Sequence, residues 1–424
     1  MTTLAIVIIV VLLLAGVPIW AACFAGAILL LVLVMGMDPL MLTGVMFDKV
    51  HIVSLIAVPL FIFSGQVLSR GGAAKPMIEV LNKFMGHIPG GPAYAMIVGC
   101  ALFAAMSSTP LAAIGGFGPI MIPMMTGMGY SRRFSFGLLL TAASLAVTIP
   151  PSIPLILYGY VTETSVRDLY TAGFLPGFMM AAFLALIVLI HTRRGHYTPP
   201  SPATWPERWQ AVKSGWPVML MPLVVLVPIY VGWSTATEAA AVASVYSMVL
   251  GFLVYRKLKL RELEEALRST VHVVAALFVI VMAAMMLSLA LTYVRIPFRI
   301  GDALAGAGFN SASFLIIIIL MFLLMGMFLD PASILLISAP ILLPTVVGLG
   351  ISPLVFGVLV VISVEIAGLT PPYGLGIFAA VVILKEEFVF IARSVLLFYP
   401  ALIVGVLLVA YVPQISLFLP NLTS

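Results

Sequence analysis

Two apolar runs, residues 93 to 127 and 311 to 348, are each about 35 residues long, roughly 50 Å of helix at 1.5 Å per residue. A bilayer core is about 30 Å thick, so neither run fits as one straight span. Each is broken near its middle by polar residues and a proline, at Met106-Ser-Ser-Thr-Pro110 and at Phe328-Leu-Asp-Pro331. Both are expected to fold back as re-entrant helical hairpins. Pro331 lies 221 residues after Pro110, and the same offset carries Pro119 onto Pro340, Pro123 onto Pro344, Gly129 onto Gly350, Ser131 onto Ser352 and Pro150-Pro151 onto Pro371-Pro372. The chain is therefore read as a duplication. The proline pairs fall inside the next runs, 133 to 160 and 353 to 384, where they remove backbone donors and push the preceding residue out of the helical region. Both of those runs are expected to be discontinuous helices.

Only 8% of the 424 residues are charged and 63% are hydrophobic, with mean hydropathy +1.25. Soluble domains carry about 25% charged residues, so the expected class is an all-α polytopic membrane protein. The remaining apolar runs are 3 to 17, 19 to 35, 51 to 69 and 172 to 192, then 217 to 231, 237 to 255, 271 to 293 and 394 to 412. Residues 3 to 35 fit either one bent helix or two spans meeting at Gly16-Val-Pro18. The run from Leu4 to Leu14 lacks a basic start and is followed by more membrane sequence, so it reads as a span rather than a signal peptide. Residues 193 to 216, with Arg193, Arg194, Arg208 and Lys213 among prolines, form a polar linker between a first repeat, 1 to 192, and a second, 217 to 424.

Placing that linker in the cytoplasm also puts Arg132, Arg133, Arg256, Lys257, Lys259 and Arg261 there, with Glu163, Arg167 and Asp168 outside. This follows the positive-inside rule, with Arg295 and Arg299 against it. The first copy then has five crossings and the second enters inverted, so the hairpins open from opposite faces. The net charge of +5 reads as loop bias and not as a nucleic-acid surface. Cys23 and Cys100 lie in apolar segments and imply neither disulfide nor thiolate metal site, and the five histidines have no metal spacing.

Unpaired backbone at membrane depth is tolerated only where it is buried in protein or lines a polar cavity. Ser107, Ser108 and Thr109 at one tip, with Thr148 and Ser152 at the first break, supply neutral oxygens beside freed carbonyls, which suits Na⁺. The second copy offers Gly326, Asp330, Ser333, Ser338, Thr370 and the carbonyls near Gly374. A substrate between two such cation sites would touch Ser108, Thr109, Pro151, Ser152, Asp330, Ser333, Pro372 and Tyr373, with helix N-termini holding an anion. Simpler roles stand beside these. The hydroxyls can bond back to the preceding turn, and Asp330 can cap the helix that starts at Pro331. Glu238 follows Thr237, which would cap an Ala-rich, close-packed helix, and Glu365 would support the break at Thr370 or carry a proton.

Several stretches taken together resemble the large membrane subunit of TRAP transporters, the tripartite ATP-independent periplasmic carriers. They are Gly86-His-Ile-Pro-Gly-Gly91, Gly118-Pro-Ile-Met-Ile-Pro123, Pro150-Pro-Ser-Ile-Pro154, Thr237-Glu-Ala-Ala-Ala241, Gly326-Met-Phe-Leu-Asp-Pro331 and Glu365-Ile-Ala-Gly-Leu-Thr-Pro-Pro372. The resemblance covers essentially the whole chain. It implies an elevator-type, Na⁺-driven importer of organic acids in a bacterial inner membrane. It also implies a periplasmic substrate-binding protein and a separate small four-helix membrane subunit as partners. Two departures stand out: Gly376 replaces a commonly found Asn, and residues 112 to 116 lack an Asp that many members carry. The rival readings are a stand-alone Na⁺- or H⁺-coupled anion symporter of a related fold and an intramembrane protease. The second lacks a paired aspartate or a Ser-His dyad at depth.

Overall fold

The structure, a computed structural model, describes residues 7–9, 11–12, 15–48, 52–195, 197, 199–299, 303, 309–372 and 374–423. Tyr373, His51, His196 and part of the run 3 to 17 lie outside them. The described residues form helices α1 (Ile19–Ile28), α2 (Pro39–Asp48), α3 (Ala57–Arg70), α4 (Ala74–Met85), α5 (Gly91–Ser107), α6 (Pro110–Gly127), α7 (Arg132–Thr148), α8 (Ile153–Thr162) and α9 (Val166–Arg194) in the first half. The second half holds α10 (Trp205–Val231), α11 (Ala236–Val249), α12 (Leu260–Tyr293), α13 (Ser311–Gly326), α14 (Pro331–Gly348), α15 (Pro353–Gly368), α16 (Leu375–Leu384), α17 (Phe388–Val395), α18 (Tyr399–Tyr411) and α19 (Gln414–Thr423). Among the described residues, eight helices are long and apolar enough to cross a membrane, or nine if the bent pair α17–α18 is one span.

Several element boundaries recur at the 221-residue offset. Pro110 and Pro331 each open the second hairpin helix, and these helices end at Gly127 and Gly348, again 221 residues apart. A π-helical turn begins at Leu29 after α1 and its counterpart begins at Leu250 after α11. Both proline pairs interrupt a helix, between α7 and α8 and between α15 and α16. Each is cis. The copies diverge where α9 is continuous and its counterpart is bent by 53° between α17 and α18. The expected span 394 to 412 is thus wrong at its start: helix begins at Phe388 and turns before Pro400, which has no backbone donor to continue the ladder.

Two further expectations need correction. Helix occupies much of the linker 193 to 216, because Thr204 and Glu207 form a capping box that starts α10 at Trp205. Only residues 195–204 stay non-helical there, as far as they are described. The cap of α11 is Thr235, not Thr237. Thr235 N–H donates to Glu238 Oε2 at 2.7 Å and Glu238 N–H to Thr235 Oγ1 at 3.2 Å, while Thr237 Oγ1 donates to Val53 O at 3.1 Å. Helices α2 and α4 were not anticipated because their polar residues hide them from an apolar-run search.

The core is built around α7 and α15, which pack on each other. All residues from Phe134 to Thr148 are buried, as is every residue from Val355 to Gly368 except Glu365. Lipid offers no hydrophobic drive for such packing, so close approach at small residues supplies it. A Cβ on Gly137 would lie 2.0 Å from Ser394 O, and one on Gly357 would lie 2.5 Å from the Tyr158 ring. Within each copy the hairpin flanks its own broken helix, α5 and α6 on α7, α13 and α14 on α15. Between copies, α6 packs on α16 and α14 on α8, so the two hairpins clasp each other's second half-helices. Outside this block, α11 packs on α3, α12 on both α1 and α3, and α10 on α4 and α11, while α12 also lies against the hairpin helix α14 and α3 against α5 and α6.

Candidate functional site

Helix α5 ends at Ser107, whose Oγ donates to Phe103 O at 2.9 Å. Ser108 then adopts φ +50, a left-handed conformation unusual for a residue with a Cβ. Thr109 is extended at φ −133 and precedes α6, yet its side chain makes no cap bond. The turn is anchored across the fold, because Ser108 Oγ donates to Pro151 O at 2.7 Å. The first tip and the first break are therefore brought together, as the sequence leads one to expect. On the far side of that break Ser152 caps α8: its Oγ accepts from Leu155 N at 3.3 Å and donates to Val147 O. Ser107, Ser108, Thr148 and Ser152 are all buried.

The second tip is built differently. Asp330 caps α14, accepting from Ser333 N at 2.8 Å through Oδ2 and from Ser333 Oγ at 2.5 Å through Oδ1. The capping role foreseen for Asp330 is thus present, and Ser333 belongs to it. Ser338 bonds back to Ile334 O at 2.5 Å, within its own helix. Gly326 closes α13 against α15, where a Cβ would lie 2.2 Å from that of Ala367, and Gly368 approaches Pro331 in the same way at 3.4 Å. At the second break Thr370 Oγ1 donates to Ile366 O at 2.8 Å. Gly374 takes φ +51 at the start of α16, with Thr370 O 3.0 Å and Gly368 O 3.1 Å from where a Cβ would sit. Only glycine fits a left-handed position so close to carbonyls.

Four helices, α6, α8, α14 and α16, begin at these breaks, and α5, α7, α13 and α15 end there. Positive dipole ends and unpaired carbonyls thus lie near hydroxyl oxygens, a set suited to an anion beside a small hard cation. Hydroxyls that donate to a carbonyl keep their lone pairs for a cation. Glu365 stands out because its carboxyl group has no hydrogen-bond or ion-pair partner among the described residues.

The 221-residue offset aligns Thr148 with Leu369 and Ile149 with Thr370. Sequence reasoning missed the supports. Ser64 Oγ on α3 reaches Met106 O at 3.4 Å and Ala243 O at 3.2 Å, and a Cβ on neighbouring Gly65 would lie 2.8 Å from Ser107 O. Gly173 and Gly177 bring α9 against the first break, where Cβ atoms would fall 2.9 Å from Thr148 O and 2.5 Å from Ile149. Their Gly-x-x-x-Gly spacing was a readable signal. Tyr399 closes the second break by donating to Leu369 O at 2.5 Å.

Residues 6–415 match the family described as tripartite ATP-independent periplasmic transporter, DctM component. The chain is 35% identical over 392 residues to the C4-dicarboxylate TRAP transporter large permease protein DctM of Rhodobacter capsulatus, covering 89% of each. It is 34% identical to the ectoine large permease TeaC of Halomonas elongata, covering 87% of this chain and 86% of that one. It is 31% identical to the sialic acid large permease SiaM of Vibrio cholerae, covering 97% and 96%. Its fold is similar to the solved YdaH transporter of Alcanivorax borkumensis, with TM-score 0.58 at 15% identity over 90% of both chains. The MtrF structure of Neisseria gonorrhoeae gives 0.57 at 13% identity, over 89% of this chain and 83% of that one. The chain belongs to the DctM family, the large permease subunits of tripartite ATP-independent periplasmic transporters, which are carriers and not enzymes.

Proposed function

We propose that this permease carries a small organic anion into the cell together with Na⁺, across a bacterial inner membrane and by an elevator movement. The observation that carries the reading is the tie between hairpin tip and broken helix, Ser108 Oγ to Pro151 O at 2.7 Å, inside a block in which each hairpin packs on its own broken helix and on the second half-helix of the other copy. A unit tied in this way would move as one body. In this reading Ser107, Ser108, Thr109, Thr148, Ser152 and the Pro151 carbonyl would hold one Na⁺. Asp330, Thr370 and carbonyls near Gly326 and Gly374 would hold a second. The substrate's negative group would face the helix starts between them, near Ser152, Ser333 and Pro372. Relatives named for C4-dicarboxylates, ectoine, sialic acid and isethionate support a small polar organic cargo. In the same reading a periplasmic binding protein delivers the cargo and a small four-helix membrane subunit completes the carrier, as a large permease of a tripartite periplasmic transporter calls for.

The test is uptake into proteoliposomes holding both membrane subunits, with the binding protein outside. Ser107→Ala combined with Thr109→Ala is expected to raise the Na⁺ concentration needed for half-maximal uptake, by about tenfold if one contact worth roughly 1.4 kcal/mol is lost. Unchanged Na⁺ dependence removes those side chains from the site. Uptake without any binding protein would instead favour a stand-alone symporter.

A further inference from the structure

The chain carries a groove that the transport reading does not use. It is a cavity of about 430 Å³ between α9 and α18, walled by Phe183, Leu186, Ile187 and Ile190 on one side and by Leu397, Pro400, Ala401 and Val404 on the other. His191 and Arg194 stand at one end. We propose that this groove binds an anionic phospholipid of the cytoplasmic leaflet, with an acyl chain between the two helices and the phosphate at Arg194.

Four observations support this occupant. The groove follows α9 from Phe183 to Arg194, eleven residues or about 17 Å, which matches one leaflet of a core about 30 Å thick. Its volume is well below that of an α-helix about 10–12 Å across and equally long, so a partner helix does not fit inside it. It lies where the repeat loses its symmetry, since Leu397 falls within the 53° bend between α17 and α18 and Pro400 just after it. Finally, the charge is free: Arg194 forms no ion pair among the described residues. The His191 ring is committed to Phe134, stacked at 4.0 Å, which leaves the guanidinium as the group that meets a headgroup. Leu186, Ile190, Leu397 and Val404 remain exposed along the groove. Basic pockets between transmembrane helices on the cytoplasmic side are suited to anionic headgroups.

The leaflet assignment rests on the orientation adopted above. Lipid binding itself is measured in detergent, without Na⁺, substrate or sidedness, so its failure and that of the transport reading are separable. The full-length chain is purified, and retention of phosphatidylglycerol against phosphatidylcholine is followed by native mass spectrometry. Wild type is expected to retain phosphatidylglycerol preferentially. Arg194→Ala should weaken retention about fivefold, Arg194→Lys should restore most of it, and Ala401→Trp, which fills the groove, should abolish it. Arg261→Ala, at a cation paired with Glu265, should leave it unchanged. Equal retention of both lipids, retention unaffected by Arg194→Ala, or competition by inorganic phosphate alone would each overturn the proposal. Should Ala401→Trp fail to fold, the Ala and Lys variants at Arg194 still decide it.

Discussion

The two tip-and-break units share their prolines and helix breaks and differ in nearly every polar atom. Both place proline at the start of the second hairpin helix and a cis proline pair in the neighbouring helix. Yet Thr109 faces Asp330 across the repeat, Ser108 faces Leu329, and Ile149 faces Thr370. The freed carbonyl at each break is handled in its own way. In the first copy Gly173 lets the backbone of α9 come close to Thr148 O, and in the second Tyr399 donates a hydrogen bond to Leu369 O. Prolines and glycines thus fix where the chain breaks, since they act through missing donors and missing Cβ atoms. The side chains that fill the break are free to diverge, and there the two copies acquire different chemistry: neutral oxygens in one, a carboxylate in the other.

The strongest way to test that division is at Asp330, where cap and charge can be separated. Asparagine caps a helix as well as aspartate does, so Asp330→Asn should keep the bond from Ser333 N and the thermal stability. Under the proposed reading it loses the charge on the cation, worth roughly 1.5–3 kcal/mol, which raises the Na⁺ requirement tenfold or more. Asp330→Ala should lose both, with about 1 kcal/mol of stability in addition. Uptake titrated against Na⁺, beside thermal unfolding in detergent, distinguishes the three proteins. If Asn behaves as wild type in both, Asp330 is a cap alone and the copies are chemically closer than they look.

How much of this was legible in the sequence follows from the same contrast. The breaks were legible because proline acts locally: Pro110, Pro331 and the two proline pairs give hairpins and discontinuous helices without any knowledge of neighbours. The tie between Ser108 and Pro151 was not, because a hydroxyl bond spanning 43 residues depends on how α5 meets α7. The supports at Ser64, Gly65 and Tyr399 were hidden for the same reason, each lying on a helix remote in sequence. The prolines hold the register of the copies and place Thr148 opposite Leu369, so the threonines at the two breaks are not equivalent positions. The bend before α18 was missed because the expected span, 394 to 412, starts after Arg393 and so leaves out Phe388-Val-Phe-Ile391, the apolar opening of α17.

A smaller effect is expected at Ser108, which the second copy replaces with Leu329 and no left-handed turn. Ser108→Ala keeps the left-handed backbone but removes the donor to Pro151 O, at a cost of about 1 kcal/mol in thermal stability. Ser108→Gly loses the same bond but relieves a left-handed conformation that costs a residue with a Cβ roughly 1–2 kcal/mol. Glycine should therefore be the milder change. If alanine proves harmless, the first tip is held to the break by packing, as Gly326 packs on Ala367 in the second copy, and the contrast between the units weakens.

The smallest expected effect is at Tyr399. Tyr399→Phe deletes one hydroxyl and leaves Leu369 O without its donor, and hydrogen bonds between membrane helices average about 0.6 kcal/mol. A slight drop in the unfolding midpoint, with Na⁺ dependence unchanged, is the expected result. It would mark Leu369 O as a structural carbonyl, matched to Thr148 O under Gly173, and leave ion binding to the groups around Asp330 and Ser108. A large shift in Na⁺ dependence would instead place that carbonyl among the ion's ligands, because freeing it from tyrosine changes only what it can offer a cation. The second break would then bind through backbone that the first copy has closed off, and the asymmetry between the copies would lie in the main chain as much as in Asp330.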